Sequence, residues 1–286
     1  FNHIDTNPCN THALSQLKTT LQNQNINVGI ANDPDADRHM VLDEKGNPLT
    51  PEETALIILD FFLSVNINCH ALISTLASST ILKKAAQQNN LSYHECNIGF
   101  KYIAQHLETY KKNKEIAFGI ESSGGFSSSF HTLEKCGFLP GILLSLALLH
   151  SKKPLSKHKE DIQKKYGFFH FKESSLTLKK GRKTQLQKQL HQLSKETLQN
   201  HYKEAIQSLN KNDGLKINFS QESWALLRFS GTEPLLRIYT ESRNNLTSHT
   251  LNNATHTLIE TLTTSKKTIS RNIKTWPNHP TKQVTM

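Results

Sequence analysis

Long hydrophobic runs, paired cysteines and a signal-peptide pattern are all missing from this sequence of 286 residues. No apolar run approaches the roughly 20 residues needed to span a bilayer, so we expect no membrane partner. The four cysteines (Cys9, Cys69, Cys96 and Cys136) are scattered, with no C-x-x-C pair and no spacing typical of zinc ligands. We therefore expect reduced thiols in a cytoplasmic protein.

Acidic residues are scarce relative to basic ones, and the formal net charge is +10. The whole excess lies in residues 151–211, where 15 basic residues face 5 acidic ones. Such a segment raises the hypothesis of nucleic-acid binding. However, its pattern is typical of helices with solvated Lys faces, and it holds few aromatic side chains that could stack on bases. We therefore expect no nucleic-acid partner and a mild preference for anionic substrates.

The most informative stretch is NDPDADR at residues 32–38, which we call the metal loop. Three carboxylates, Asp33, Asp35 and Asp37, alternate within five residues and repel one another unless solvent or a cation neutralises them. A hard divalent cation such as Mg²⁺ prefers such oxygen ligands. The short apolar runs on either side predict two strands, of which residues 26–31 are expected to be buried.

Two other interpretations of the metal loop stay open at this point. Asp and Pro are common in solvated turns that bind nothing. An EF-hand is the second alternative, because Asp33, Asp35, Asp37 and Glu44 fall at positions 1, 3, 5 and 12 of such a loop. That match is poor, since Arg38 stands where glycine is required and the flanks are typical of strands. A metal held next to a phosphate, with Arg38 beside it, fits better.

Strand and helix patterns alternate between residues 26 and 149. This order predicts an α/β fold with a doubly wound, mixed or parallel sheet. The sequence TPEE at residues 50–53 predicts a helix start with a threonine cap and a proline in the first position.

The pattern changes after residue 166, where a smaller α+β domain is predicted. It reads as a strand at residues 168–178, a long helix at 183–209, three further strands and a helix at 245–262. Residues 263–286 are polar and basic, and we expect them to form a loosely ordered tail.

Two motifs of the α/β region fit a ligand that carries hydroxyls and phosphate. NIGFK at residues 97–101 places Lys101 at a strand-to-helix junction, where backbone amides favour anions. GIESSGG at residues 119–125 ends a strand with Glu121 and Ser123, which can hydrogen-bond to a polyol that approaches the glycines closely. A solvated lysine and a flexible loop are the plain alternatives.

The α+β region contains a third motif, RFSGTEP at residues 228–234, followed by an arginine at 237. Two guanidiniums, two hydroxyls and an accessible glycine N–H can chelate a phosphate dianion. We call this set the phosphate clamp. Its members are Arg228, Ser230, Gly231, Thr232 and Arg237.

Taken together, residues 29–38, 99–101, 121–124 and 228–234 resemble, in the same order, four motifs of the α-D-phosphohexomutases, the phosphoglucomutase/phosphomannomutase family. The resemblance covers residues 1–262. It implies an intramolecular phosphotransferase, an isomerase of carbohydrate metabolism that interconverts hexose 1-phosphate and hexose 6-phosphate through a 1,6-bisphosphate. It leaves the choice between glucose, mannose and other sugars open.

The resemblance also implies roles for the residues of the metal loop. Mg²⁺ would be held by Asp33, Asp35 and Asp37. Arg38 would lie against the reacting phosphate, and Lys101 would help to orient the sugar phosphate.

Further implied roles concern the substrate. Glu121 and Ser123 would bind sugar hydroxyls, so residues 121–125 are called the sugar loop below. Residues 131–137 resemble the family's H-x-x-E-K/R-D-G stretch, which makes His131 and Lys135 candidates for substrate contact or proton transfer. The phosphate clamp would grip the phosphate that does not react.

The family fold implies three domain segments, at residues 1–46, 47–155 and 166–262. The family's phosphoserine lies in a Ser-His-Asn type loop that this sequence does not show, so we expect a fragment that is inactive alone and lacks an N-terminal domain or subunit. Cys136, Ser122 and Phe229 depart from the residues usual in the family, namely Asp, Glu and Pro. The alternative is a non-catalytic sugar-phosphate-binding protein or one half of a split mutase.

Overall fold

The computed structural model describes residues 6–10, 12–179, 181–231, 233–263 and 271–272. The chain divides into two compact units, Phe1–Phe168 and Phe169–Met286, called here the first and the second unit. Every helix of the described part is too short or too polar to cross a bilayer.

The first unit begins with helix α1 (Ser15–Gln24), which packs on a hairpin of β1 (Val28–Asn32) and β2 (His39–Asp43). Strand β3 (Pro48–Leu49) pairs antiparallel with β2, and the sheet order is β1-β2-β3. The strand predicted at residues 26–31 is present as β1, but the prediction that it is buried is wrong. Strand β1 lies at the edge of this sheet in the described structure, and the Ile30 side chain is 37% exposed. Strand β2, in the middle, is buried along its whole length.

A second sheet of the first unit has four strands in the order β5-β4-β6-β7. The first three are parallel, and the last is antiparallel, which confirms the mixed α/β fold class. The strands are β4 (Ala71–Thr75), β5 (Ser92–Cys96), β6 (Ala117–Ile120) and β7 (Phe126–Ser128). The helices are α2 (Pro51–Ser64), α3 (Thr80–Gln88), α4 (Phe100–Lys112), α5 (Phe138–Ser151) and α6 (Leu155–Tyr166).

The central strands β4 and β6 are buried at every position, as expected when helices cover both faces of a parallel sheet. On one face, Ile103 and Leu107 of α4 pack so closely on β6 that a Cβ on Gly119 would lie 2.3 Å from the Ile103 side chain. This packing fixes the carboxyl end of β6, where the sugar loop begins.

The second unit has an antiparallel sheet in the order β13-β8-β12-β11-β10-β9, and this confirms the smaller α+β domain. Its strands are β8 (His170–Thr177), β9 (Ile206–Asn210), β10 (Leu215–Phe219), β11 (Trp224–Phe229), β12 (Leu235–Ser242) and β13 (Arg271–Asn272). Its helices are α7 (Arg182–Gln192), α8 (Lys195–Gln199) and α9 (Asn245–Thr263). Of the predicted tail, residues 264–270 and 273–286 lie outside the described residues.

The prediction of one long helix at residues 183–209 is wrong. Leu193 is extended, and Ser194 caps a new short helix by accepting a hydrogen bond from the N–H of Thr197. The chain then enters β9, where Ile206 is buried and its N–H donates to the side chain of Gln199. The leucines of this segment have helical spacing, but its last residues form β9 because they pair with β10.

Helix α2 offers a direct test of local stability. Thr50 accepts a hydrogen bond from the N–H of Glu53, and the Glu53 carboxylate accepts one from the N–H of Thr50. We expect Thr50→Ala to lower the free energy of unfolding by about 1 kcal/mol, because a cap is lost. Thr109→Ala on the exposed face of α4 is the control, and an equal loss in both variants, measured by calorimetry, would contradict the capping role.

Candidate active site

The metal loop is the turn between β1 and β2, and Asp33 organises it. The Asp33 Oδ1 atom accepts hydrogen bonds from the N–H groups of Asp37 (3.1 Å) and Arg38 (2.9 Å). Ala36 adopts a left-handed conformation with φ of 55°, and its N–H donates to the Asp33 carbonyl. One carboxylate oxygen of Asp33 is therefore used to shape the turn, and the other is left for a ligand.

The donor set of this loop fits a divalent cation. Asp33, Asp35 and Asp37 each offer a carboxylate oxygen, and these oxygens lie within 4.8 Å of one another. The Asp33 Oδ2 atom is buried and accepts no hydrogen bond of good geometry from the described residues, although Arg38 Nε lies 2.9 Å away. A buried carboxylate oxygen that is ion-paired with one arginine, next to two further carboxylates, matches the preference of Mg²⁺ for oxygen ligands.

Lys135 reaches the metal loop from the segment that follows β7. Its Nζ atom lies 2.5 Å from Asp37 Oδ2. Burial alone would raise the pKa of Asp37, but the hydrogen bond and the positive charge of Lys135, helped by Arg38, lower it overall. Asp37 is therefore held in its ionised form, the form that ligates a metal.

Backbone contacts join the metal loop to the sugar loop and to the segment that follows Lys135. The N–H of His39 donates to the Gly124 carbonyl (3.0 Å), Arg38 and Gly125 form an antiparallel bridge, and the N–H of Gly137 donates to the Ala36 carbonyl (2.8 Å). A Cβ on Gly137 would lie only 2.4 Å from the Arg38 carbonyl oxygen. Glycine at 137 is thus required by the close approach of two backbones.

The His39 side chain is fully buried at this junction. Its Nδ1 atom lies 2.6 Å from the Gly124 carbonyl oxygen, and its ring packs edge-on against Phe126. Burial lowers the pKa of His39 to about 4, so the ring is neutral near neutral pH.

Glu121 of the sugar loop is buried close to the same groups. Burial raises the pKa of Glu121, and this effect exceeds the opposing effects of the Lys135 charge and of a hydrogen bond from the Gly99 backbone. The hydroxyl of the exposed Ser123 lies 3.5 Å from Glu121 Oε2. Three separate sequence motifs, around Asp37, Gly99 and Glu121, therefore meet at one place in the first unit.

Two of the predicted site residues, Lys101 and His131, make their described contacts outside this cluster. Lys101 is exposed in the first turn of α4, with Nζ 4.9 Å from the centre of the Tyr102 ring. The backbone of His131 lies near the start of β6, where its carbonyl accepts a hydrogen bond from Lys111 and its N–H donates to Ser128. The structure thus brings Lys135, but not the His131 backbone, to the carboxyl end of β6.

An open cavity of about 350 Å³ lies beside the metal loop. It is lined by Thr6, Asn7, Asp33, Pro34, Asp35 and Arg38. Its volume is at the lower end of the range for small-ligand sites. Thr6 and Asn7 were not predicted, because nothing in the local sequence shows that these two residues lie beside this loop. The nearby Cys9 thiol donates to the Ser123 carbonyl (3.2 Å).

The phosphate clamp lies in the second unit, on β11, on β12 and in the turn between them. Arg228 and Arg237 are directly opposite each other on the two strands. Like charges in such a pair repel, and carboxylates offset this: Arg228 Nε lies 3.1 Å from Asp213, and Arg237 lies 3.3 Å from Glu173. Two adjacent guanidiniums favour an anion with several oxygens.

The turn of the clamp is held by Ser230 and by a residue that sequence reasoning missed. The buried Ser230 hydroxyl accepts a hydrogen bond from the N–H of Glu233, and Lys183 Nζ donates to the Ser230 carbonyl (2.6 Å). Lys183 is one of many lysines of the basic segment, so only the fold identifies it. Gly231 is exposed with open space around it, and Thr232 lies outside the described residues.

Comparison with models of known protein families shows to which family the chain belongs. Residues 1–46, 50–166 and 179–248 match domain II, domain III and the C-terminal domain of the phosphoglucomutase/phosphomannomutase models, the first two described as alpha/beta/alpha domains. The chain belongs to this family.

Two curated relatives show how much of a family member the chain represents. It is 26% identical over 236 residues to a probable phosphoglucosamine mutase of Methanobrevibacter smithii, a match that covers 82% of this chain and 48% of the relative. A phosphoglucomutase/phosphomannomutase of Thermococcus kodakarensis is 28% identical over 216 residues, covering 76% and 43%. The chain spans about half the length of these relatives.

Solved structures share the fold at low identity. A putative phosphomannomutase from Thermus thermophilus matches with a TM-score of 0.69 and 19% identity, covering 91% of this chain and 52% of that one. An N-acetylphosphoglucosamine mutase from Aspergillus fumigatus, in complex with GlcNAc-6P and magnesium, matches with a TM-score of 0.60 and 13% identity, covering 90% and 53%.

The close approach at Gly137 generates a prediction for metal binding. Because a Cβ at residue 137 would overlap the Arg38 carbonyl, Gly137→Ala must displace the metal loop, and we expect the Mg²⁺ affinity to fall by about tenfold or more. Calorimetric titration measures this. Gly141→Ala is the control, since its Cβ would meet only the flexible Ile30 side chain at 3.0 Å. Equal Mg²⁺ affinity in Gly137→Ala and the native chain would contradict the placement.

Proposed function

We propose that this chain is the metal-, sugar- and phosphate-binding part of a mutase that interconverts hexose 1-phosphate and hexose 6-phosphate through a 1,6-bisphosphate. The observation that carries the proposal is the position of Lys135, whose Nζ atom contacts Asp37 of the metal loop and whose side chain passes next to Gly125 of the sugar loop. A phosphoryl group next to a metal, on a sugar whose hydroxyls are bound, requires this arrangement of groups.

In this proposal Asp33, Asp35 and Asp37 hold Mg²⁺. When bound, the metal neutralises charge on the reacting phosphoryl oxygens. Arg38, already 2.9 Å from Asp33, is in a position to pair with a phosphate at the cavity beside the loop. Lys135 adds a second positive charge next to Asp37 and can hydrogen-bond to the substrate. We propose Arg38 and Lys135 as the catalytic residues of the mutase.

The sugar is proposed to bind at the sugar loop. Glu121 accepts hydrogen bonds from its hydroxyls, while the exposed Ser123 hydroxyl donates one. Lys101, with its charge at the start of α4, assists in orienting a sugar phosphate. For His131 we propose a substrate contact through its side chain only, since its backbone lies near the start of β6.

The phosphate clamp is proposed to bind the phosphate that does not react. Arg228 and Arg237 supply the charge, Ser230 and Gly231 supply short-range donors, and Thr232 is included on the sequence motif alone. Lys183 supports the turn through the Ser230 carbonyl. Glucose, mannose and amino-sugar phosphates all meet these requirements.

The phosphoryl group itself is proposed to come from a phosphoserine on a separate N-terminal domain or subunit. The sequence of this chain shows no Ser-His-Asn type loop, and the matches to relatives cover about half of their length. We therefore propose that the chain binds its ligands but does not turn them over alone.

The test is a titration of the 286-residue chain with glucose 1,6-bisphosphate, with and without Mg²⁺. We expect binding that is tighter with Mg²⁺, and no conversion of glucose 1-phosphate to glucose 6-phosphate. Absence of bisphosphate binding under both conditions would overturn the proposed function. Conversion at the rate of a complete mutase would overturn the need for a separate phosphoserine.

Lys135 permits a second, more specific test. Removing its charge takes a cation away from a divalent-metal site, so we expect Lys135→Met to bind Mg²⁺ several-fold more tightly. The same variant loses a donor to the substrate and should bind glucose 1,6-bisphosphate about tenfold more weakly. Both changes are measured by calorimetry.

The control is Lys112→Met, which removes a lysine that forms an exposed ion pair with Glu108. It should leave both affinities unchanged. If Lys135→Met weakens Mg²⁺ and bisphosphate binding together, general damage to the loop explains the result, and the proposed role of Lys135 is wrong.

A further inference from the structure

His39 is unusual in the first unit because its polar side chain is buried next to apolar residues. The residues after it in β2 (Met40, Val41 and Leu42) are apolar and buried, and His39 is buried to the same extent. A leucine would satisfy this position without placing polar atoms in the core. The imidazole therefore has a cost, since burying a polar atom without a partner destabilises the fold.

The hydrogen bonding of the ring shows what it does there. A carbonyl oxygen can only accept, so the Nδ1 atom 2.6 Å from the Gly124 oxygen must carry the proton. The other nitrogen, Nε2, is then an acceptor, and it is buried without a hydrogen-bond partner among the residues that the structure describes. Only one side of the ring is satisfied, and that side faces the sugar loop.

The Gly124 carbonyl is held twice by the same residue, since the backbone N–H of His39 also donates to it at 3.0 Å. Gly124 itself has a φ of 100°, and a Cβ there would lie 2.6 Å from the His39 carbonyl oxygen. The sugar loop and the first residue of β2 are thus in direct contact through backbone and side chain. On the chain, His39 directly follows Arg38 of the metal loop.

We propose that His39 is a positioning residue that fixes the sugar loop relative to the metal loop, so that Mg²⁺ and the hexose phosphate bind cooperatively. The inference rests on the proposed function. With the ring N–H in place, Glu121 and Ser123 keep a constant distance from Asp37 and Arg38. A ligand that contacts both loops then binds to an arrangement that already exists, and less ordering is required of it.

The test uses three variants of the full chain. His39→Leu removes the ring donor and the unsatisfied acceptor. His39→Asn keeps an amide N–H at about the place of Nδ1, and is the conservative variant. Met40→Leu changes the next buried residue of the same strand without affecting the bond to Gly124, and is the matched control.

The first readout is the factor by which saturating Mg²⁺ tightens the binding of glucose 1,6-bisphosphate, which must equal the factor by which the bisphosphate tightens Mg²⁺ binding. We expect about fivefold or more in the native chain. His39→Leu should reduce this factor to within about twofold of unity while its melting temperature stays equal or rises. His39→Asn and Met40→Leu should keep the native factor.

The second readout is amide hydrogen exchange without any ligand, which is independent of the proposed function. Exchange at residues 121–125 should become several-fold faster in His39→Leu and stay native-like in His39→Asn. Unchanged exchange and an unchanged coupling factor in His39→Leu would overturn the inference, as would an equal loss in all three variants. If the native chain binds no bisphosphate, the proposed function and the cooperativity fail, while the exchange result still decides whether His39 fixes the loop.

Discussion

The close approach of two backbones, the metal loop and the sugar loop, is the constraint on which the site of the first unit depends. Two contacts make it, His39 to Gly124 and Arg38 to Gly125, and a third, Gly137 to Ala36, joins the segment after Lys135 to the metal loop. Side chains are excluded from these contacts at two glycines, because a Cβ at either would lie within 2.6 Å of a backbone oxygen.

Positive charges offset part of the negative charge of the site. The metal loop concentrates three carboxylates, and Arg38 and Lys135 lie within 3 Å of two of them. The pairing with Arg38 offsets part of the cost of burying Asp33. The pairing of Lys135 with Asp37 implies competition, since a divalent cation and Lys135 are attracted by the same Asp37 oxygen. The phosphate clamp of the second unit follows the same rule, with carboxylates beside each of its two arginines.

Much of the fold and of the candidate site could be predicted from the sequence because these features depend on residues that are close together in the chain. The carboxylate spacing of the metal loop, the cap of α2 and the alternation of strands and helices before residue 149 depend on neighbouring residues, and the structure agrees with them. The motifs were also sufficient to identify the family. The sequence could not show which residues lie opposite one another in space. Lys183, Thr6 and Asn7 have no local signal at all.

The wrong predictions arose because the local sequence does not show which distant residues pair with a segment. Leucine spacing between residues 183 and 209 is helical, but pairing with β10 draws the last part into a strand. The apolar run before the metal loop is typical of a buried strand, yet β1 lies at a sheet edge of the described structure. His39 did give a signal, a lone histidine at the start of an apolar strand, and its meaning depends on Gly124, which lies 85 positions away.

The central claim, that metal and sugar loops form one site, is tested most directly by paramagnetic Mn²⁺ in place of Mg²⁺. Substoichiometric Mn²⁺ should broaden the amide NMR signals of residues 33–38 first, together with those of residues 121–125 and 135–137, and Asp35→Asn should suppress the effect. Broadening of the metal loop without the sugar loop would contradict the account.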